Sequence, residues 1–217
     1  MDLDRYFTRA DRDAIEAAVK EVELTTAGEI VPFAVGRSDH YAAASWKGAL
    51  AGALLFTAVA AGVSELRPFW GVLLPLWIAL PPALGALAGF LLTLAAPPLR
   101  RRLIPPEVVE LRVRQRALTA FVEQEVFRTR ERTGILIFLS LFEHRVLVLG
   151  DAGINAGVKP HQWEEIAAAI AEGVRRGHPG PALADGIRRC AGLLSAHVAR
   201  QPTDQDELGN ALRTSDE

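Results

Sequence analysis

Apolar residues are distributed along this chain in two incompatible ways. From Gly48 to Ser64, and again from Pro68 to Leu99, they run on without a single charge, whereas on either side they recur at intervals among Arg, Asp and Glu. The first run, about 17 residues, is just long enough to cross a hydrocarbon core of roughly 30 Å at about 1.5 Å per residue. The second has residues to spare, and Pro81-Pro82 is expected to kink it or divide it into two helical segments. Only Glu65 to Pro68 lies between the runs, so two spans here form a tight hairpin whose outer ends emerge on one face. Gly48, Gly52 and Gly62 in the first helix and Gly85 and Gly89 in the second would let the backbones approach closely. Trp46, Trp70 and Trp77 mark interfacial depth. A buried hairpin of a soluble protein is the alternative, but the rest of the chain has too few residues to wrap two such helices.

Outside this block the periodicity changes. Asp11 to Leu24 carries Ile15, Ala18 and Val22 at helical spacing, and after a turn at Thr25 to Gly28 the run Glu29 to Val35 reads as a strand. Pro32 argues that this strand lies at an edge or starts irregularly. Beyond the hairpin a helix opens near Pro106, with Val109, Val113, Leu118, Phe121, Val122 and Phe127 on a broad apolar face. Two continuous apolar runs follow, Ile135 to Leu141 and Val146 to Leu149, which read as buried strands joined by a turn at Phe142 to Arg145. Helices over His161 to Arg175 and Pro181 to Ala199 come next, linked by a Gly and Pro turn. The pattern predicts an α/β fold, a small mixed sheet flanked by helices, interrupted by a transmembrane helical hairpin. Residues 1–46 and 100–200 form the folded domain, 47–99 the hairpin, and 201–217 a polar, acidic and mobile tail.

Composition sharpens this division. The 50% hydrophobic content averages an uncharged centre with charge-rich flanks, and a net charge of −2 argues against wholesale nucleic-acid binding. Cys190 is the sole cysteine, which excludes an intrachain disulfide framework and a multi-cysteine metal site. The acidic, amphipathic start lacks the order of an export signal, so the amino end is expected to be retained. Lys47 precedes the first run and Arg100, Arg101 and Arg102 follow the second, while the connection offers only Arg67 beside Glu65. This asymmetry predicts cytoplasmic flanks.

The segments "TTAGEIVPFAV", "RTGILIFLSLFEHRVLVLGDAGI", "GIRRCAGLLSAHV" and "DQDELGN", with Trp163 early in its helix, resemble the TPM domain family, in a membrane-inserted bacterial branch. The likeness covers Thr25 to Asn210 apart from the hairpin. It implies a compact α/β domain, often anchored in a bacterial plasma membrane, tied in various relatives to assembly or repair of membrane complexes, receptor accessory roles, calcium binding and acid phosphatase activity. It also implies a domain outside the cytoplasm, against the cation count of this chain, which we follow.

Asp151 in "LGDAGI" is the best polar candidate, because it ends a buried strand and is flanked by Gly150 and Gly153, where open α/β sheets place ligands. The structural alternative has Asp151 capping the turn and Gly153 supplying an unusual dihedral. Glu29 would share a cation with Asp151 through hard oxygen ligands if the two strand ends meet. Calcium then needs more donors, which Asp204, Asp206 and Glu207 supply only if the tail folds back. Glu143 and His144 read as turn residues without acid/base character, no two histidines have zinc spacing, and Ser140 lacks a nucleophile elbow. Cys190 reads as packing. No Lys or Arg adjoins "GDAGI" except Lys159. Two functions follow: a membrane-anchored binding, assembly or accessory module for other membrane proteins, or a weak, divalent-cation-assisted phosphatase centred on Asp151. The former accounts for more of the sequence.

Overall fold

The computed structural model describes residues 3–66, 74–198, 200 and 207–215. They fall into two compact units, Met1–Asp39 with Glu110–Glu217, and His40–Val109. In chain order the elements are α1 (Arg9–Glu23), β1 (Glu29–Val35), α2 (Ala42–Leu66), α3 (Leu74–Ala95), α4 (Pro97–Arg102) and α5 (Pro106–Glu123). After these come β2 (Gly134–Ser140), β3 (Arg145–Gly150), α6 (Ala152–Asn155), α7 (Pro160–Arg175), α8 (Pro179–His197) and β4 (Arg213–Ser215).

The first unit is built on a four-stranded mixed sheet in the order β3-β2-β1-β4. β1 and β2 run parallel from Glu29↔Gly134 to Val35↔Ser140, β3 returns antiparallel to β2, and β4 adds to β1 in parallel at Phe33 to Val35. Every residue of β1 and β2 is buried, which explains their continuous apolar sequences. Ile30, Ala34, Ile135, Ile137 and Leu139 pack with residues of α1, α7 and α8 in one core. Strand pleating sends Val31, Phe33, Leu136 and Phe138 to the opposite face. There the Phe33 and Phe138 rings stack 6.1 Å apart and the Arg116 guanidinium of α5 lies 5.6 Å over Phe33. α1 starts where a helix should: the Thr8 Oγ1 accepts from Asp11 N and the Asp11 carboxylate accepts from Thr8 N, closing a capping box. Ile15, Ala18, Val19 and Val22 then recur on its buried side.

Three expectations change here. β1 is an inner strand, not an edge; β4 pairs with it only from Phe33 onward, so Pro32 falls just before the shared register and no ladder donor is missed on that side. The carboxyl-terminal tail is not simply mobile, since Arg213–Ser215 completes the sheet and Gly36 N donates to Ser215 O at 3.3 Å. Residues 201–206 lie outside the described chain. On α5, the buried side is Val113, Ala117 and Ala120, while Leu118 and Val122 face solvent.

The second unit consists of α2 and α3 with α4. α2 and α3 are each long and apolar enough to span a membrane. They are antiparallel: Trp46 meets Phe90 at 5.4 Å between rings near one end, and the Trp77 indole donates to Ser64 Oγ at 2.8 Å near the other. Between these points the two backbones touch. A side chain on Gly52 would run into Gly85 O, and one on Gly89 into Gly48 O. Gly62, by contrast, faces open space and takes no part. Pro81 and Pro82 sit inside one continuous helix and do not divide it; α3 ends only at Ala95, before Pro97-Pro98. Lys47 donates to Leu103 O at 3.1 Å, so it and the arginines of α4 share one end of the pair. The connection through Pro68 and Trp70 lies outside the described residues.

Candidate functional site

The two carboxylates singled out in the sequence do lie at one end of the sheet, on either side of β2. Glu29 is paired with Gly134 in the β1–β2 register, and Asp151 N donates to Gly134 O at 2.9 Å. Both side chains are buried, yet each is already engaged. Asp151 Oδ2 accepts from Arg132 Nε at 2.6 Å, and its Oδ1 accepts from Arg132 Nη2 at 2.8 Å and from the Ala152 amide at 2.7 Å. The fork is bidentate, and the amide bond caps α6. The hydrogen bond to Asp151, and then its charge, hold the Arg132 guanidinium above its ordinary pKa. Arg132 is thus the cation beside "GDAGI" that the sequence did not reveal. Lys159 instead stands at the start of α7, where its amide donates to Gln162.

The flanking glycines serve packing. Gly153 N donates to Arg132 O at 3.0 Å, and a side chain at Gly153 would collide with the backbone of Glu131 and Arg132. Its backbone is not left-handed; Arg132 itself takes φ 57° there. Gly150 sits against Asn155 and Ile154, and its carbonyl accepts from Asn155 Nδ2.

The chain does fold back at 207, as a shared cation site would require, but for a different purpose. Glu207 pairs with Arg130, accepting from the Arg130 amide at 2.9 Å and approaching its Nε at 3.2 Å. Leu208 N donates to Glu29 Oε2 at 3.3 Å. Asp204 and Asp206 lie outside the described residues. Among the described residues no three His, Cys, Asp or Glu side chains gather in a way that could hold a metal ion. Asp151, with both oxygens occupied by fixed donors, is built as a structural lock.

At the opposite end of the sheet the sequence concealed a second polar cluster. Glu143 lies in the turn, as expected, and is buried there: Ser140 Oγ donates to its Oε2, Ser38 N donates to its Oε1 at 2.9 Å, and Ser38 Oγ donates to Ser140 Oγ at 2.9 Å. His144 beside it takes φ 52° in the tight turn. Ser38 and Glu143 are 105 positions apart, so no local pattern could announce this clasp. Its hydroxyls bond inward and fasten the loop after β1 to the β2–β3 turn.

A groove of about 630 Å³ runs along β3, lined by Leu147 and Leu149 of the strand, Trp163 and Ala167 of α7, and the guanidinium-bearing Arg114 and Arg145. No family model matches the chain, and no curated protein does. Among solved structures it is similar to the BA42 protein of the psychrophilic bacterium Bizionia argentinensis, determined by NMR, with 19% sequence identity and a TM-score of 0.59 over 96% of this chain and 95% of that chain. At that identity the likeness is one of fold, and it places this chain among mixed α/β structures.

Proposed function

We propose that this chain is a membrane-anchored, TPM-like binding or assembly module, with α2 and α3 lodged in lipid and the α/β unit docking on other membrane proteins from the cytoplasmic side. The observation that carries the reading is the exposure of the helix pair. Only 6% of the apolar window of α2 and 11% of that of α3 is buried, so Leu50, Leu54, Leu87 and Leu92 would all stand in water if no bilayer covered them. That also weighs against a core hairpin, whose leucines would be enclosed. Glycine-mediated backbone contact is how helices associate where lipid removes the hydrophobic drive between them. The cytoplasmic side rests on Lys47 and Arg100–Arg102 sharing one end.

A binding role is favoured over phosphatase chemistry because the Asp151 carboxylate is buried and both of its oxygens accept hydrogen bonds, from Arg132 and from the Ala152 amide, which tie it into the fold. The test is in-cell photo-crosslinking of the full chain followed by identification of partners, alongside turnover of p-nitrophenyl phosphate by the purified protein in detergent. Reproducible membrane-protein adducts without turnover are expected. Turnover abolished by Asp151→Asn would overturn the reading. Cysteine accessibility in a Cys190→Ser background, with new cysteines in α4, checks the side: labelling only after the membrane is permeabilised is expected.

A further inference from the structure

β3 is an edge strand, with no described strand paired to its outer side. Natural edges are usually blunted by an inward charge, a proline or a bulge. β3, with the sequence Arg-Val-Leu-Val-Leu-Gly, has none of these between Val146 and Leu149. Its ladder partner fixes which backbone groups are spare. Asp151 N donates to Gly134 O, so in an antiparallel ladder the N–H and C=O of alternate residues, Leu149 and Leu147, also turn toward β2. Those of Val148 and Val146 therefore point outward, together with Gly150 N. The Gly150 carbonyl is already taken by Asn155.

Above this edge α7 supplies a wall. Trp163 is buried, yet its indole N–H has no acceptor among the described residues, although a buried donor ordinarily finds one. Ala167 and Ala171 leave room beside the strand. Charge at the groove is one-sided. Among the described residues Arg114 and Arg145 make no ion pair, Arg175 pairs with Glu172 at 2.8 Å, and Glu164 is the one carboxylate in the lining.

We propose that the β3–α7 groove is a docking site for an extended, acidic peptide segment of a partner protein, which adds a fifth strand to the sheet outside β3. The spare groups of Val146, Val148 and Gly150 supply backbone hydrogen bonds, alternate side chains fall beside Trp163 on the α7 face and beside Leu147 and Leu149 on the other face of the sheet, and Arg114, Arg145 and Arg175 select acidic residues. A second copy of this chain is the less suitable occupant, because edge-to-edge pairing would bring two arginine-rich rims together. This inference names a surface for the binding role proposed above and rests on that reading.

The test selects from a random eight-residue peptide library displayed on phage against the full chain in detergent micelles, with empty micelles as control. Acidic peptides with alternating branched or aromatic residues are expected, and binding of the best resynthesised peptide should shift the Trp163 indole resonance. Val148→Pro removes an outward N–H that β2 does not use and should weaken that peptide at least tenfold. Arg114→Glu with Arg145→Glu, both on the surface, should weaken it at least fivefold and decides the matter if the proline variant fails to fold. The proposal is overturned if no peptide is enriched, if the enriched sequences are basic or charge-free, or if affinity survives the arginine changes. It is equally overturned by a concentration-dependent dimer that Val148→Pro dissolves, which would give the edge to a second copy. If no peptide is selected while crosslinked membrane partners persist, the groove is excluded and the anchored module stands; loss of the partners with peptide binding intact would do the reverse.

Discussion

The two units use the same residue types against different surroundings. In the sheet, Ile135, Leu136, Ile137, Phe138 and Leu139 are fully enclosed, whereas in α2 and α3 leucine after leucine faces outward and the small residues turn inward. The α/β unit excludes water by burying its large side chains; the helix pair joins through Gly48, Gly52, Gly85 and Gly89 and leaves the large ones to its solvent. An apolar run is therefore no guide to burial in protein until its small residues have been located.

The largest expected contrast comes from deleting the same chemistry in both places. Phe138→Ala should cost about 3–5 kcal/mol of stability, since Phe138 is fully buried and stacks on Phe33. Leu54→Ala, which faces lipid in this account, should cost under about 1 kcal/mol. Denaturant titration of the full chain in detergent micelles compares them, and equal losses would break the distinction. A second pair separates the glycines. Gly52→Ile should drive α2 from α3 at a cost of about 1–3 kcal/mol by overpacking, while Gly62→Ile should be silent. Crosslinking of cysteines introduced at Trp46 and Phe90, with Cys190→Ser as background, would report helix separation.

Asp151→Ala sharpens the picture of the α/β unit. Loss of the cap and of the partner for Arg132 should cost about 0.5–2 kcal/mol, mostly from the amide of Ala152, because Arg132 is half exposed and can turn to water. The same titration measures it. The smallest effect at neutral pH concerns Cys190, whose thiol burial pushes up to about 12. The sign follows from linkage: the unfolded chain ionises near its ordinary value of about 9, the folded chain does not. The stability is therefore fully present below about pH 9 and is lost as pH rises from there toward 12. Accordingly, a disulfide exchange reagent at pH 8 should leave the folded protein unlabelled and react on unfolding.

The sequence made the continuous runs readable because continuity itself is the signal: β2, β3 and the two long helices all follow from uninterrupted apolar stretches. β4 escaped because Arg213-Thr214-Ser215 is short and polar, and its strand character comes from β1. α5 misled because apolar residues occur around its whole circumference, and only the sheet decides that Val113 and Ala117 rather than Leu118 and Val122 are covered. At the candidate site the sequence marked Glu29 and Asp151 as residues at strand termini, but whether the two ends meet is decided by the strand pairing, which brings both beside Gly134. Arg132 was not, since it lies 19 positions from Asp151 in a polar segment and reaches it through a left-handed backbone. The clasp of Ser38, Ser140 and Glu143 depends on strand pairing across most of the chain and has no local trace.

The most direct test of the account is where the full chain goes when cells are broken without detergent, washed with alkaline carbonate and centrifuged at high speed. If α2 and α3 lie in lipid, the protein stays wholly with the membrane pellet and leaves it only with detergent. Recovery as a soluble, monodisperse species in the supernatant would contradict it.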